Sequence, residues 1–276
     1  MTARSQRALA LATGGVLALL FSVCAAVQVA GWTIGAVERS TSQVIDGPVD
    51  QLVVDADGGE ITVVPAIDDT VRVSSTVKGS IHTPQPHVSR DGTTVHLDGQ
   101  CPDISFGPCR ARITVHVPRD TPVEVHSGSG DLTAIGLTGR VDLHTGSGDV
   151  EATGLTGAAN LETGSGDVTV RGLSGPTELH TGSGDVTAED LGMRALVAET
   201  SSGDIVLGFR EAPDSVSADT ASGDVDIALP DGAGAYRVEA DPGSGEQHVN
   251  VRTDPASKRI VQAQTSSGDV TVGYGN

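Results

Sequence analysis

Aromatic side chains are nearly missing: Phe, Tyr and Trp together make up 2% of 276 residues. This argues against a conventional globular core, where aromatic rings carry much of the burial, and against a sugar-binding face lined with rings. Basic residues are scarce too. Lys and Arg number 17 against 36 Asp and Glu, giving a formal net charge of -19. Such a chain is a poor partner for nucleic acid and is repelled by anionic lipid heads. The length allows one elongated folded unit or two compact ones. No GxSxG, HExxH, phosphate-binding loop or dinucleotide fingerprint occurs, so the sequence offers no enzyme motif and implies no cofactor.

Glycine, by contrast, is abundant at 36 residues and recurs at fixed places. From Val125 to Leu207 the chain reads VHSGSGDLTA, LHTGSGDVEA, LETGSGDVTV, LHTGSGDVTA and ETSSGDIVL. The repeat Asp falls at Asp131, Asp149, Asp167, Asp185 and Asp204, a spacing of eighteen residues three times and then nineteen. Two outlying copies carry Asp224 and Asp269. A weaker signal lies between them: Gly136-Leu137-Thr138-Gly139, Gly154-Leu155-Thr156-Gly157 and Gly172-Leu173-Ser174-Gly175. One period therefore holds two short strands and two glycine-rich turns.

Val150 and Ala152 share one side of a strand, with Glu151 and Thr153 on the other. Period-two alternation marks a strand with one buried face. A rung of two such strands cannot bury that face alone. Stacked rungs can, because apolar positions form ladders and each backbone pairs with its neighbours. The ladders predicted are Leu132, Val150, Val168, Val186 and Ile205 in one sheet. In the other they are Val125, Leu143, Leu161, Leu179 and, with a register shift, Val197. Gly128, Gly146, Gly164 and Gly182, and Gly130, Gly148, Gly166 and Gly184, are expected to supply positive φ at corners. Each repeat Asp is expected to cap its own tight turn. The fold class is all-β: a single-stranded β-solenoid or β-helix-like stack of short strands, preceded by one N-terminal transmembrane helix. The rival is a flat antiparallel meander of S-G hairpins, which the near-constant period disfavours.

Arg4 and Arg7 precede an uncharged run over 8–37, long enough for a bilayer, which takes about 20 apolar residues. Arginines before it and an acidic body after it predict a cytoplasmic N-terminus, 1–7, and an extracytoplasmic body. Residues 38–47 then read as a stalk and 48–276 as the β-domain. Within it lie regular repeats over 123–229, an insert over 230–264 and a last repeat over 265–273. A signal peptide cleaved near Cys24-Ala25-Ala26 is the competing reading, although the apolar run continues past it. Bulky Val23 disfavours lipid attachment at Cys24. Gln51 to Val64 reads as a degenerate first copy, with Glu60 where the later Asp stands. The insert is expected to project from one face. It contains Lys258-Arg259, the only adjacent basic pair, a contact patch or ordinary surface. Cys101 and Cys109 bracket PDISFGP and suit a disulfide-clamped loop in an oxidising space; metal-binding thiolates are the alternative, without a partner at finger-like spacing.

Stacking would also line up outward residues. Five positions before each repeat Asp stand His126, His144, Glu162, His180 and Glu199. His144, Glu162 and His180 are candidate metal ligands, or else part of a solvated polar ladder, because a straight column does not converge tetrahedrally. The column of Asp131, Asp149, Asp167, Asp185, Asp204, Asp224 and Asp269 is read as turn capping, with structural calcium as the alternative. Carboxylate pairs for sugar hydrolysis could sit on such a face, but every rung carries much the same groups, and uniformity marks a scaffold.

The T-x-SGDV repeats, GGEITVV at Gly58 to Val64, ITVHVP at Ile113 to Pro118 and the single leading apolar segment resemble the bacterial adhesin-like family, domain of unknown function 4097. The resemblance spans roughly Gln51 to Val272. It implies a membrane-anchored envelope protein with a β-solenoid body and no established catalytic residue; some members resemble partners of envelope stress systems. The expected role is a non-catalytic cell-envelope module, adhesin-like or stress-associated, held to the membrane by its N-terminal helix. Its partner would be a protein or the cell wall, with self-association through open end rungs conceivable. A carbohydrate-active envelope enzyme and a metal-dependent binding module are the alternatives.

Overall fold

Alternating apolar and polar residues produce strands throughout. The computed structural model describes residues 37–79, 87–99 and 110–275, and every regular element among them is a β-strand. One end is built by β1 (Val37–Ile45), β2 (Gln51–Gly58), β3 (Glu60–Pro65), β4 (Val71–Gly79), β5 (His87–Asp91), β6 (Thr94–Asp98) and β7 (Arg110–Val117). The repeats follow as pairs. These are β8 (Val123–Ser129) with β9 (Leu132–Ile135), β10 (Val141–Thr145) with β11 (Val150–Thr153), and β12 (Ala159–Thr163) with β13 (Val168–Arg171). Next come β14 (Thr177–Thr181) with β15 (Val186–Leu191), β16 (Ala195–Thr200) with β17 (Ile205–Phe209), and β18 (Ser215–Ser222) with β19 (Val225–Leu229). β20 (Arg237–Asp241), β21 (Gln247–Val249), β22 (Ile260–Ser267) and β23 (Val270–Tyr274) complete the chain.

The first strand of each repeat pair joins an 11-stranded sheet and the second a 12-stranded sheet. Neighbours within the repeats are parallel and one period apart, a β-helix-like arrangement and not a meander. Val150 lies opposite Leu132 and Val168, and Val168 opposite Val186. In the facing sheet Val125, Leu143, Leu161 and Leu179 stack in turn. All these side chains are buried, and each fully buried Val or Leu contributes about 1.5–3 kcal/mol. The turn leucines Leu137, Leu155 and Leu173, and Leu191 at the equivalent place at the end of β15, are buried as well, so the second turn of each rung fills the core where the sheets meet.

One ladder member differs from expectation. Ala198, not Val197, lies opposite Leu179, while Val197 pairs with Glu178 and Ser217 on the outer side. The nineteenth residue of that rung is absorbed before the strand, where the register between β15 and β17 shifts between Ala188 and Leu191. Asp190 there takes φ 57°, the left-handed conformation that glycine holds at Gly136, Gly154 and Gly172.

The SGD corners work across rungs. The buried hydroxyl of Thr163 donates to the Gly148 carbonyl (2.8 Å), Thr181 to Gly166 (2.9 Å) and Thr265 to Gly223 (2.9 Å). Each Asp carboxylate from Asp131 to Asp224 accepts from the backbone N–H of the next rung's Asp, and Asp269 accepts from Glu246 N–H at 2.7 Å. Asp149 N–H donates to Asp131 Oδ1 at 3.1 Å, and Asp167 to Asp149 at 3.0 Å. Asp185 donates to Asp167 at 2.9 Å, Asp204 to Asp185 at 2.9 Å, Asp224 to Asp204 at 2.8 Å and Asp269 to Asp224 at 2.8 Å. The Asp column therefore links successive turns instead of capping its own. Of the eight corner glycines expected to take positive φ, Gly148 and Gly184 do and the other six do not, and the constraint all eight share is close approach of a neighbouring backbone. A Cβ on Gly166 would sit 2.1 Å from the Gly148 carbonyl oxygen, and one on Gly146 2.6 Å from that of Gly128.

Both ends depart from simple winding. β2 and β3 form the degenerate first copy beside β8 and β9, but the chain then runs outward to β4–β7 before returning. At the other end the expected insert does not project from a face. It supplies β20 and β21, the outermost strands of the two sheets, and β22 and β23 return to fill the gap beside β18 and β19. Most of the expected stalk is strand β1, paired antiparallel with β4 from Val37 to Ile45, because its Ser and Thr side chains suit an edge with hydroxyl partners across it, as Thr41 with Ser75 at 2.7 Å. No helix among the described residues is long and apolar enough to cross a membrane. The apolar run 8–37, apart from Val37, and Cys101 and Cys109 lie outside the described residues.

Two consequences can be measured by urea denaturation followed by circular dichroism. Gly166→Ala is expected to cost more than about 2 kcal/mol, since backbone must move; Gly273→Ala, with open space around its Cβ, should stay within about 0.5 kcal/mol. Asp167→Ala should cost about 1–2 kcal/mol through the unpaired Asp185 N–H, and Asp167→Asn, which keeps an acceptor, should recover most of it.

Candidate functional site

The outer face of the 11-stranded sheet carries the ionisable column. Asp55, His126, His144, Glu162, His180, Glu199 and Asp219 occupy successive register positions on β2, β8, β10, β12, β14, β16 and β18. Alternation puts them outward because Val125, Leu143, Leu161 and Leu179 beside them are buried. His144 Nδ1 lies 3.1 Å from Glu162 Oε2, and His180 Nδ1 lies 3.5 Å from Glu199 Oε2. His126 turns along its own strand, with Nε2 2.9 Å from Glu124 Oε1. The His126 and His144 rings are 6.0 Å apart and tilted by 58°.

The candidate ligands His144, Glu162 and His180 are thus neighbours in a column, as expected, but they resolve into pairs. Among the described residues no three His, Cys, Asp or Glu side chains converge as a metal site. What the column does provide is a ribbon of half-exposed acid and imidazole groups at a fixed pitch of about 4.8 Å.

A second outward column was not singled out from the sequence. Glu124, Asp142, Asn160 and Glu178 stand two residues upstream and in register. The same alternation that marks the histidines marks these. Arg140 closes on Asp142 through Nε to Oδ2 at 2.7 Å and Nη2 to Oδ1 at 2.9 Å. That hydrogen-bonded carboxylate raises the Arg140 pKa above its ordinary value. Two shallow grooves meet here, sharing Arg140 and Asn160. One, of about 540 Å³, runs between the columns at His126, His144 and Glu162. The other, about 200 Å³, lies toward Glu178 and Val197. The small Ala158-Ala159 pair breaks rung uniformity and opens the second groove.

The Lys258-Arg259 pair does not form a joint contact patch. The Arg259 guanidinium donates to the Ala233 carbonyl and lies over the Tyr236 ring, 6.0 Å from its centroid. It fastens the loop before β20, and only Lys258 is left exposed.

The chain matches the family Toastrack DUF4097 over residues 49–273. No curated protein matches it. Among solved structures it is similar to a candidate lipid-binding protein from Parabacteroides distasonis ATCC 8503, at 11% identity and a TM-score of 0.53, covering 85% of this chain and 97% of that one. It is also similar to a candidate adhesin from Bacteroides fragilis NCTC 9343, at 15% identity and a TM-score of 0.48, with 85% and 97% covered. The first likeness shows a shared fold.

Exposed ion pairs contribute little. His144→Ala and Glu162→Gln are each expected to shift stability by no more than about 0.5 kcal/mol in urea titrations.

Proposed function

This chain belongs to the Toastrack DUF4097 family, and we propose that it is a non-catalytic, adhesin-like module of the cell envelope that acts by binding. The observation that carries this is the outer face of the 11-stranded sheet. Its exposed and half-buried His, Glu, Asp and Asn side chains stand in two adjacent columns on a backbone fixed by ladder pairing. A surface of this kind is pre-organised, so little ordering entropy is lost when an extended partner lies along it. Binding is favoured over catalysis because its acids are exposed and repeated, without a distinct acid and base in a closed cleft.

In this reading the run 8–37 anchors the chain and the β-body lies outside the membrane. Cys101 and Cys109 close the segment between β6 and β7 as a disulfide, which for so short a loop contributes about 2–3 kcal/mol. The partner is a protein or cell-wall polymer. Self-association through the C-terminal end is disfavoured. Its edge strands are short, β20 carries Arg237, Glu239 and Asp241, and Pro242 follows, all features that blunt strand edges.

Binding of the full chain in detergent to isolated cell walls and to intact cells tests the proposal. Glu162→Lys with Glu178→Lys should weaken binding roughly tenfold, equivalent to about 1.4 kcal/mol. Glu151→Lys on the opposite sheet should not. Equal losses from both faces, or no saturable binding by the wild type, would reject it.

A further inference from the structure

His126 on β8 and His144 on β10 are direct register partners on neighbouring rungs, and both side chains are half-exposed. Each imidazole has a carboxylate on one nitrogen. His126 Nε2 lies 2.9 Å from Glu124 Oε1, and His144 Nδ1 lies 3.1 Å from Glu162 Oε2. An ionised carboxylate only accepts, so in the neutral imidazoles those two nitrogens carry the protons. The lone pairs are then at His126 Nδ1 and His144 Nε2. A carboxylate behind the ring is the arrangement that fixes the tautomer of a metal-bound histidine and raises its basicity. It arises here from two features of the sequence. Glu124 precedes His126 by two residues on the same face, and Glu162 takes the histidine position on the rung after His144.

The ring centres are 6.0 Å apart. A metal–imidazole bond is about 2.0–2.1 Å, which places two rings on one ion about 4.5–6.4 Å apart as the angle at the metal opens from about 90° to about 180°. The pair stands within that range, toward its wide end, and half-exposed side chains can rotate to narrow the angle. His144 and His180 are different, because the Glu162 strand lies between theirs and sets them about 9.6 Å apart. The groove of about 540 Å³ lined by His126 and His144 leaves room for water at the remaining coordination positions.

The surroundings favour a cation. His126 is faced by Asp55 from β2 and by His144 from β10, with Glu124 beside it on its own strand. His144 is faced by His126 and by Glu162 from β12, with Asp142 two residues before it. Arg140, the arginine of this groove, is already closed on Asp142.

We propose that His126 Nδ1 and His144 Nε2 together bind one divalent transition-metal ion of the Zn²⁺, Ni²⁺ and Cu²⁺ class, with water completing its coordination. Neutral imidazole suits these ions, whereas Ca²⁺ and Mg²⁺ call for oxygen ligands. The site lies on the face assigned above to partner binding, but the inference rests on the imidazole geometry and not on that reading.

Calorimetric titration of the full chain in detergent with Ni²⁺ tests it. Saturable binding is expected, with the double variant H126A/H144A giving the background from other groups. His126→Ala and His144→Ala should each weaken binding at least about tenfold. Glu124→Ala, which removes the carboxylate behind His126, should weaken it about tenfold. His248→Ala should leave it unchanged, since that imidazole has a carboxylate, Glu246, but Thr271 as its register partner. Cu²⁺ should bind more tightly than Ni²⁺, and Mn²⁺ most weakly. Affinity should fall at least about tenfold between about pH 7.5 and about pH 5.5, as protonation removes the lone pairs. All the substituted side chains are at least partly exposed, and melting curves check that each variant is folded. Equal Ni²⁺ affinity in the wild type and the double variant would overturn the proposal. So would Ca²⁺ binding as tight as Ni²⁺ binding, which would assign the ion to the carboxylates. Cell-wall binding does not enter this readout, so the outer-face reading can fail without altering the result.

Discussion

At each SGD corner two backbones pass so closely that one further carbon does not fit. A Cβ at Gly184 or Gly203 would stand 2.0 Å from the carbonyl oxygen one rung below. That contact allows the turns to stack at the spacing of the strands, so the ladders beside them remain in register. If the corners were held apart, the parallel pairing from β8 to β19 would have to splay or slip, and a slip of one residue would turn every buried Val and Leu outward. The glycines are therefore a requirement of stacking, and the thin aliphatic core follows from it.

Because each rung contacts only its neighbours, stability is close to a sum over rungs and interfaces. The ends are the weak points of such a stack. Here the first repeat copy is enclosed by strands that come later in the chain, and the last copy is placed inside strands that come earlier. A terminal rung cannot peel off without carrying with it a segment linked to the interior. The same arrangement fixes which backbone edges remain open among the described residues.

The period and the alternation were legible because both are properties of single residues repeated at a constant distance. Val150, Val168 and Val186 stack as the spacing predicts. The failures lie where the answer depends on two segments at once. Val197 and Ala198 both suit a core, and only the turn around Asp190 decides which one faces in. The order of the end rungs is invisible, since β20 and β22 present similar alternation and nothing local says which is outermost. The Asp partner was missed for a related reason: SGD read as a single turn suggests a local cap, whereas the donor belongs to the next copy. The column of Glu124 to Glu178 was readable but carried no histidine to draw attention to it.

Stacked like charges test this architecture most severely, and the two faces answer differently. Carboxylates one rung apart repel by about 1 kcal/mol in water-like surroundings. At the corners each also accepts a backbone N–H, and hydrogen bonds to charged groups contribute about 1.5–3 kcal/mol, so an unbroken Asp column is favourable. On the outer face of the 11-stranded sheet the N–H groups of the interior strands β8 to β18 serve the ladder. Like charges directly opposite one another would then be a net cost. Most of the residues fit that difference: His144 faces Glu162 and His180 faces Glu199, Asn160 separates Asp142 from Glu178, and Arg140 closes on Asp142, which stands opposite Glu124, whereas Glu199 opposite Asp219 is an exception. The mixed character of that face thus follows largely from where the backbone donors are spent.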